Sequence, residues 1–88
     1  MTFDSILWDA DDDDSGNVQH CARHGVSKDD VEEVLQNVTG TSVSRSSGCP
    51  VLFGDTLAGR HLIVVYKVLP GNGIDPVTAY DVPRRKTR

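Results

Sequence analysis

The stretch NVQHCARHGVSKDDVEEVL, residues 17–35, decides the fold, because start signal, stop signal and apolar spacing agree there over two consecutive elements. Val18, Cys21 and Ala22 recur at i, i+3, i+4 and give a first helix one apolar face, and Gly25 supplies the residue that turns left-handed at its end. Ser27 then offers its hydroxyl to the open amides of a second helix. Asp30, three residues on, can reach back to complete a capping box, and Val26 can clamp onto Val31 as a hydrophobic staple. The buried stripe of helix two is expected to be Val31, Val34 and Leu35, while Asp29, Asp30 and Glu32 suit the positive end of its dipole.

Outside this stretch the chain reads as strand and turn. Phe3, Ile6, Leu7 and Trp8 are β-prone and stand before a breaker, so residues 2–8 are expected as a first strand, with Trp8 as a core anchor. After Asn37 the Ser, Thr and Gly content of TGTSVSRSSGCP predicts a loop crossing into a short edge strand around residues 41–45. VLFGDT and RHLIVVYKVL form a hairpin around Leu57, Ala58 and Gly59, with Gly59 taking the positive φ angle. Residues 62–65 are apolar on both parities, the mark of a central strand covered on both faces or nearly so. PGNG at 70–73 is a second turn, and DPVTAYDV is the last strand before Pro83 ends pairing. The expected class is α+β: a two-layer sandwich running strand, helix, helix, then three to four antiparallel strands, with the helices on one face.

Eighty-eight residues make one domain, expected over residues 1–83, with a basic, disordered end at 84–88. A chain this short buries only about 60 to 65% of its unfolded surface, so its core is small. No signal-peptide pattern precedes the two cysteines, so Cys21 and Cys49 are expected as free thiols of a soluble, cytoplasmic protein. The longest apolar run, Leu62 to Tyr66, is far below the roughly 20 residues a membrane span needs, and no membrane partner is expected. The net charge of −4 hides a division: residues 1–33 carry ten acids against Arg23 and Lys28, whereas residues 34–88 carry three acids against seven bases. If the acids belong to the helical layer and the bases to the sheet, the molecule has a cationic face open to a polyanion, with Arg45, Arg84, Arg85 and Lys86 as the residues expected to meet it.

Two metal readings fall short. Asp9, Asp11 and Asp13 have the one-three-five spacing of a calcium loop, but its sixth and twelfth positions hold Asp14 and His20 instead of glycine and glutamate. His20 and His24 stand four apart, as zinc-sharing imidazoles do, yet no glutamate follows His20, and a histidine in a last turn beside glycine serves the helix end. The expectation is therefore no metal and no cofactor, with the acids leading into a helix that begins near Gly16 or Asn17.

WD at 8 and 9, Asn17, HG at 24 and 25 before a capped helix, the GDTLAGRHLIVVY hairpin and VTAYDV, taken in this order, resemble the BrnT-like toxins of the RelE superfamily of ribonuclease toxins. The resemblance spans residues 7–82 and implies the same α+β fold, metal-independent cleavage of messenger RNA, and a cognate antitoxin protein that covers the toxin. Arg60 matches the family's arginine after glycine in the hairpin, and Arg23 the basic residue before HG. The sequence departs from the family at Tyr80, where an arginine is usual, and in showing no counterpart of its C-terminal helix. Such cleavage needs a base for the 2′-hydroxyl, a cation for the phosphorane and an acid for the leaving oxygen. The groups available are Arg60, His61, Tyr66, Lys67, Tyr80 and Arg84. A different class of function suits the same sequence: a catalytically inactive protein-interaction module whose sheet is covered by a partner or, in a homodimer, by a second copy.

Overall fold

The computed structural model describes residues 3–83, and the basic segment 84–88 lies outside them. Its elements run β1 (Ser5–Ile6), α1 (Asn17–Arg23), α2 (Lys28–Gln36), β2 (Val38–Val43), β3 (Pro50–Asp55), β4 (His61–Leu69) and β5 (Gly73–Asp81). They form an α+β fold with a five-stranded mixed sheet in the order β1-β5-β4-β3-β2. The four long strands are antiparallel neighbours, and β1 adds to β5 in parallel. That parallel pair is an addition to the expected all-antiparallel sheet.

The corner between the helices forms as the sequence implies. The Ser27 hydroxyl accepts from the Asp30 amide, the Asp30 carboxylate accepts from the Ser27 amide, and Gly25 takes φ +72°. Val26, Val31 and Val34 are fully buried, with Leu35 packed beside them. On α1 the buried face differs from the expected one: Cys21 and Asn17 are buried, Val18 is half-buried and Ala22 is exposed. The helix is rotated because Asn17, a polar residue that apolar spacing cannot flag, is itself drawn inside by four hydrogen bonds.

The same residue shortens the first strand from the expected 2–8 to Ser5–Ile6. Asn17 takes the Leu7 carbonyl and the Asp9 amide, groups that a longer strand would have spent on its neighbour. Trp8 packs, half-buried, against the core. The edge strand β2 begins three residues earlier than expected, at Val38, and leaves Arg45 in the following loop.

Leu52, Leu62, Val64, Tyr66, Ile74 and Ala79 project from the sheet into one cluster with Cys21 and the valines of the helix corner. Pro76 sits in β5 opposite Tyr66, beside a register shift between Val65 and Tyr66 and beyond the two residues of β5 that pair with β1, a bulged and one-sided setting in which a strand tolerates proline. Val51 and Val65 pair with each other and are also buried, yet stand outside that cluster, on the face that carries no helix. Among the described residues no helix is long and apolar enough to cross a membrane.

Candidate functional site

The β3–β4 turn builds the first arrangement. Thr56 is buried and closes the turn on Arg60 through its backbone amide and its hydroxyl, with Thr56 N to Arg60 O at 2.9 Å and Arg60 N to Thr56 Oγ1 at 3.1 Å, while its carbonyl accepts from the Gly59 amide at 3.0 Å. Gly59 takes φ +87°, and Glu33 reaches from α2 to accept from the Leu57 amide at 2.9 Å. A turn so fixed sets Asp55 directly opposite His61. His61 Nδ1 lies 2.8 Å from Asp55 Oδ1, and the His61 ring lies nearly parallel to Phe53, 15° between planes and 6.3 Å between centroids. A carboxylate only accepts, so in the neutral imidazole Nδ1 carries the proton and Nε2 keeps the lone pair. Both groups line an open groove of about 660 Å³, together with Thr39, Gly40, Thr41, Ser42, Phe53, Val82 and Pro83.

Arg60 belongs to a second arrangement on the other side of the turn. Its Nε and one Nη donate in a fork to the two Asp81 carboxylate oxygens, at 3.0 and 2.8 Å, and the other Nη donates to Gly25 O at 2.9 Å and to Asp30 Oδ2 at 3.2 Å. The guanidinium ties the hairpin, the end of β5 and the helix corner together. The hydrogen bond from Arg60 holds the Asp81 carboxyl below the usual carboxylate range, and the same bond raises the arginine. With those donors engaged, Arg60 has little to offer a phosphate in this arrangement. Tyr80 stands at the same corner, its ring 5.6 Å from that of His24.

The structure thus divides the residues that the resemblance gathered. His61 lines the groove, while Arg60 and Tyr80 lie at the helix corner. Tyr66 is buried edge-on against Phe3, 5.6 Å between centroids, and burial pushes its hydroxyl up, so it sits in the core, away from solvent. Lys67 is exposed on β4 opposite Asp75. Arg45 is exposed in the β2–β3 loop, and Arg23 is spent on the Asp14 carbonyl. Arg84, Arg85 and Lys86 lie outside the described residues. Among the described residues lining the groove none is a Lys or Arg, and His61 is the one with a basic ring. Nor, among them, do three His, Cys, Asp or Glu side chains gather where a metal ion could be held. Sequence reasoning missed Asp55 and Phe53. Equal offsets from the turn could have found Asp55, because Asp55 and His61 flank residues 56–60 symmetrically.

No family model, curated protein or solved structure is found to match this chain.

Proposed function

We propose that the chain is a BrnT-like domain of the RelE superfamily that cleaves RNA without a metal, with His61 as the base and the helix-free groove as the site. The observation that carries this reading is the Asp55–His61 pair at 2.8 Å in an open groove. Nε2 takes the proton of a 2′-hydroxyl, the 2′-oxygen attacks the adjacent phosphorus, and the bond to the 5′-oxygen breaks. That oxygen leaves with a proton from solvent, and the products end in a 2′,3′-cyclic phosphate and a 5′-hydroxyl. Asp55 is a positioning residue, holding the ring in the useful tautomer. The segment 84–88, outside the described residues, holds four of the chain's nine lysines and arginines.

Purified protein incubated with RNA in a chelator across pH 6 to 9 is the test. Cleavage is expected, slowed about 10²- to 10⁴-fold in His61→Gln, together with growth arrest on expression in bacteria. Asp55→Asn should lower kcat and leave KM nearly unchanged. Intact RNA and normal growth would remove the enzyme reading.

The second reading, an inactive interaction module of the same fold, is favoured by two other observations: Arg60's engagement with Asp81, Asp30 and Gly25, and the edge strand β2. VTGTSV carries neither charge nor proline, the usual guards of an open edge, and a strand from an antitoxin or a second copy could pair there. Light scattering and co-purification with a neighbouring gene's product check it, and a strict monomer that recovers no partner would count against it.

A further inference from the structure

Strand β2 ends the sheet on one side, and among the described residues β3 is its one ladder partner. Its outer edge is self-complementary when the strand is laid antiparallel beside a copy of itself. A two-fold axis normal to the sheet keeps the same face up in both copies, so residues set opposite one another must share a face. Thr41 and Val43 pair with Leu52 and Pro50 and lie on the helix-bearing face, whereas Gly40 and Ser42 pair with Phe53 and Val51 and lie on the other. Val38 also belongs to the helix-bearing face, because the ladder shifts register before Gly40 and sets Val38 opposite Gly54, under Val34 of α2. One register satisfies all of these at once. It places Thr41 against its own copy on the axis, Gly40 against the partner's Ser42, and Val43 against the partner's Val38, with Thr39 taken up in the bulge.

We propose that the protein forms a homodimer through β2, the two sheets joining edge to edge into one. The inference rests on the second reading above and chooses a second copy over an antitoxin strand as the occupant of this edge. Packing favours the choice. Val43, 62% exposed in the single chain, gains a β-branched neighbour across the interface, and symmetry makes the contact twice. The exposed Thr41 hydroxyls meet on the axis, where paired threonines bond one another. Charge agrees as well. VTGTSV is uncharged, so two chains of net charge −4 meet where neither presents an acid. The same register carries the exposed Arg45, just past β2, to the C-terminal end of the partner's α2, near the partner's Gln36 and Asn37. That helix has no basic residue in its last turn, and a cation is favoured at its negative end. The second copy supplies one. On the helix-free face the partner's Ser42 comes beside Gly40, so each groove gains a hydroxyl along its β2 side.

A pair of six-residue strands makes a small interface, of the weak class below about 1,200 Å², so the dimer is expected at high concentration. Sedimentation equilibrium on the full chain, from about 10 μM to 1 mM, should show a monomer–dimer equilibrium. Thr41→Lys sets two like charges on the axis at an exposed position and should weaken association about tenfold with the fold intact. Arg45→Gln should weaken it about fivefold at low salt and less at high salt. Cross-linking reads the register. In a Cys49→Ser background, mild oxidation should join two Thr41→Cys chains by a disulfide and leave Ser46→Cys, exposed in the β2–β3 loop away from the axis, unlinked. A strict monomer at the highest concentration, a Thr41→Lys variant that dimerises as the wild-type protein does, or equal cross-linking of the two cysteine variants overturns the proposal. A one-to-one complex in which another protein occupies β2 overturns it too, while leaving the interaction-module reading in place. RNA cleavage by a protein that dimerises through β2 upholds it and removes only the inactive reading.

Discussion

Asp9 and Asn17 hold each other by two reciprocal bonds: the Asp9 amide donates to Asn17 Oδ1 and the Asn17 amide to Asp9 Oδ2, both at 2.9 Å. The asparagine also donates to Leu7 O at 2.8 Å and to Asp75 Oδ1 at 3.2 Å, so one buried side chain joins the end of β1, the start of α1 and β5. Asn17→Ala strands several of these partners at once. It should cost about 2–3 kcal/mol, since an unpaired buried polar group carries its full desolvation penalty. Urea denaturation should show a lower midpoint at an unchanged m-value; a loss under roughly 0.5 kcal/mol would mean that water replaces the side chain without penalty.

Gly54 marks where α2 comes closest to the sheet. A β-carbon there would lie 2.7 Å from the Asn37 carbonyl oxygen and 2.8 Å from Val34 Cγ1 and its carbonyl oxygen. Backbone carbonyls at a helix end cannot retreat as a flexible side chain would. Gly54→Ala is therefore expected to cost about 3 kcal/mol, at the upper end for overpacking. Gly25→Ala is the control, because nothing lies within 4 Å of its added carbon and only its φ of +72° is strained; its cost should be near 1 kcal/mol. Equal thermal midpoints for the two variants would contradict this account of the packing.

These residues also show which parts of the fold the sequence makes legible. The helix corner is legible because local chemistry alone specifies it: a hydroxyl, a carboxylate three residues later and a glycine turn satisfy one another within a single short stretch. The β3–β4 hairpin is legible for the same reason. The parallel pairing of β1 with β5 is not, since Ser5 meets Gly73 across most of the chain and nothing in either strand names the other. Nor is the role of Asn17, whose partners at Leu7, Asp9 and Asp75 are set by the fold. His61 stands out as a titratable residue beside a turn, but its partnership with Phe53 depends on sheet register. Arg60 shows the converse: a residue type suited to phosphate is absorbed by Asp81 and Asp30 once the chain closes.

Cys21 predicts the response to base. It is 1% exposed, and burial pushes its thiol up to about 11, against a smaller opposing hydrogen bond with the Ala79 backbone. The raised value means that the folded state keeps a proton the unfolded chain gives up near pH 8.5 to 9. This contribution is whole below that range and is lost as pH rises toward 11, by an amount on the order of 2 kcal/mol. Cys21→Ala should flatten the stability profile between pH 9 and 11, at the cost of a small cavity. In the folded protein a thiol reagent at pH 8 should label Cys49, which is partly exposed, well before Cys21.

Arg60 separates a folding role from a catalytic one. Its fork to Asp81 and its bonds to Gly25 and Asp30 are partly solvated, so their combined contribution is modest, and Arg60→Ala should lower Tm by about 5 °C. Arg60→Lys should recover little of this, because a lysine ammonium cannot span both Asp81 oxygens while reaching Gly25. The pH dependence has a definite sign. Asp81 is held below the usual carboxylate range by Arg60, so the bridge contributes above about pH 4. It fades as acid protonates the carboxylate in the fold. The Tm difference between wild-type protein and Arg60→Ala should therefore narrow below about pH 4 and stay constant from about pH 5 to 8. Assayed at a temperature where the variant is fully folded, its RNA cleavage per molecule should equal that of the wild-type protein. A loss of about a hundredfold with Tm unchanged would instead place the guanidinium at the reacting phosphate and move the site from the groove to the helix corner.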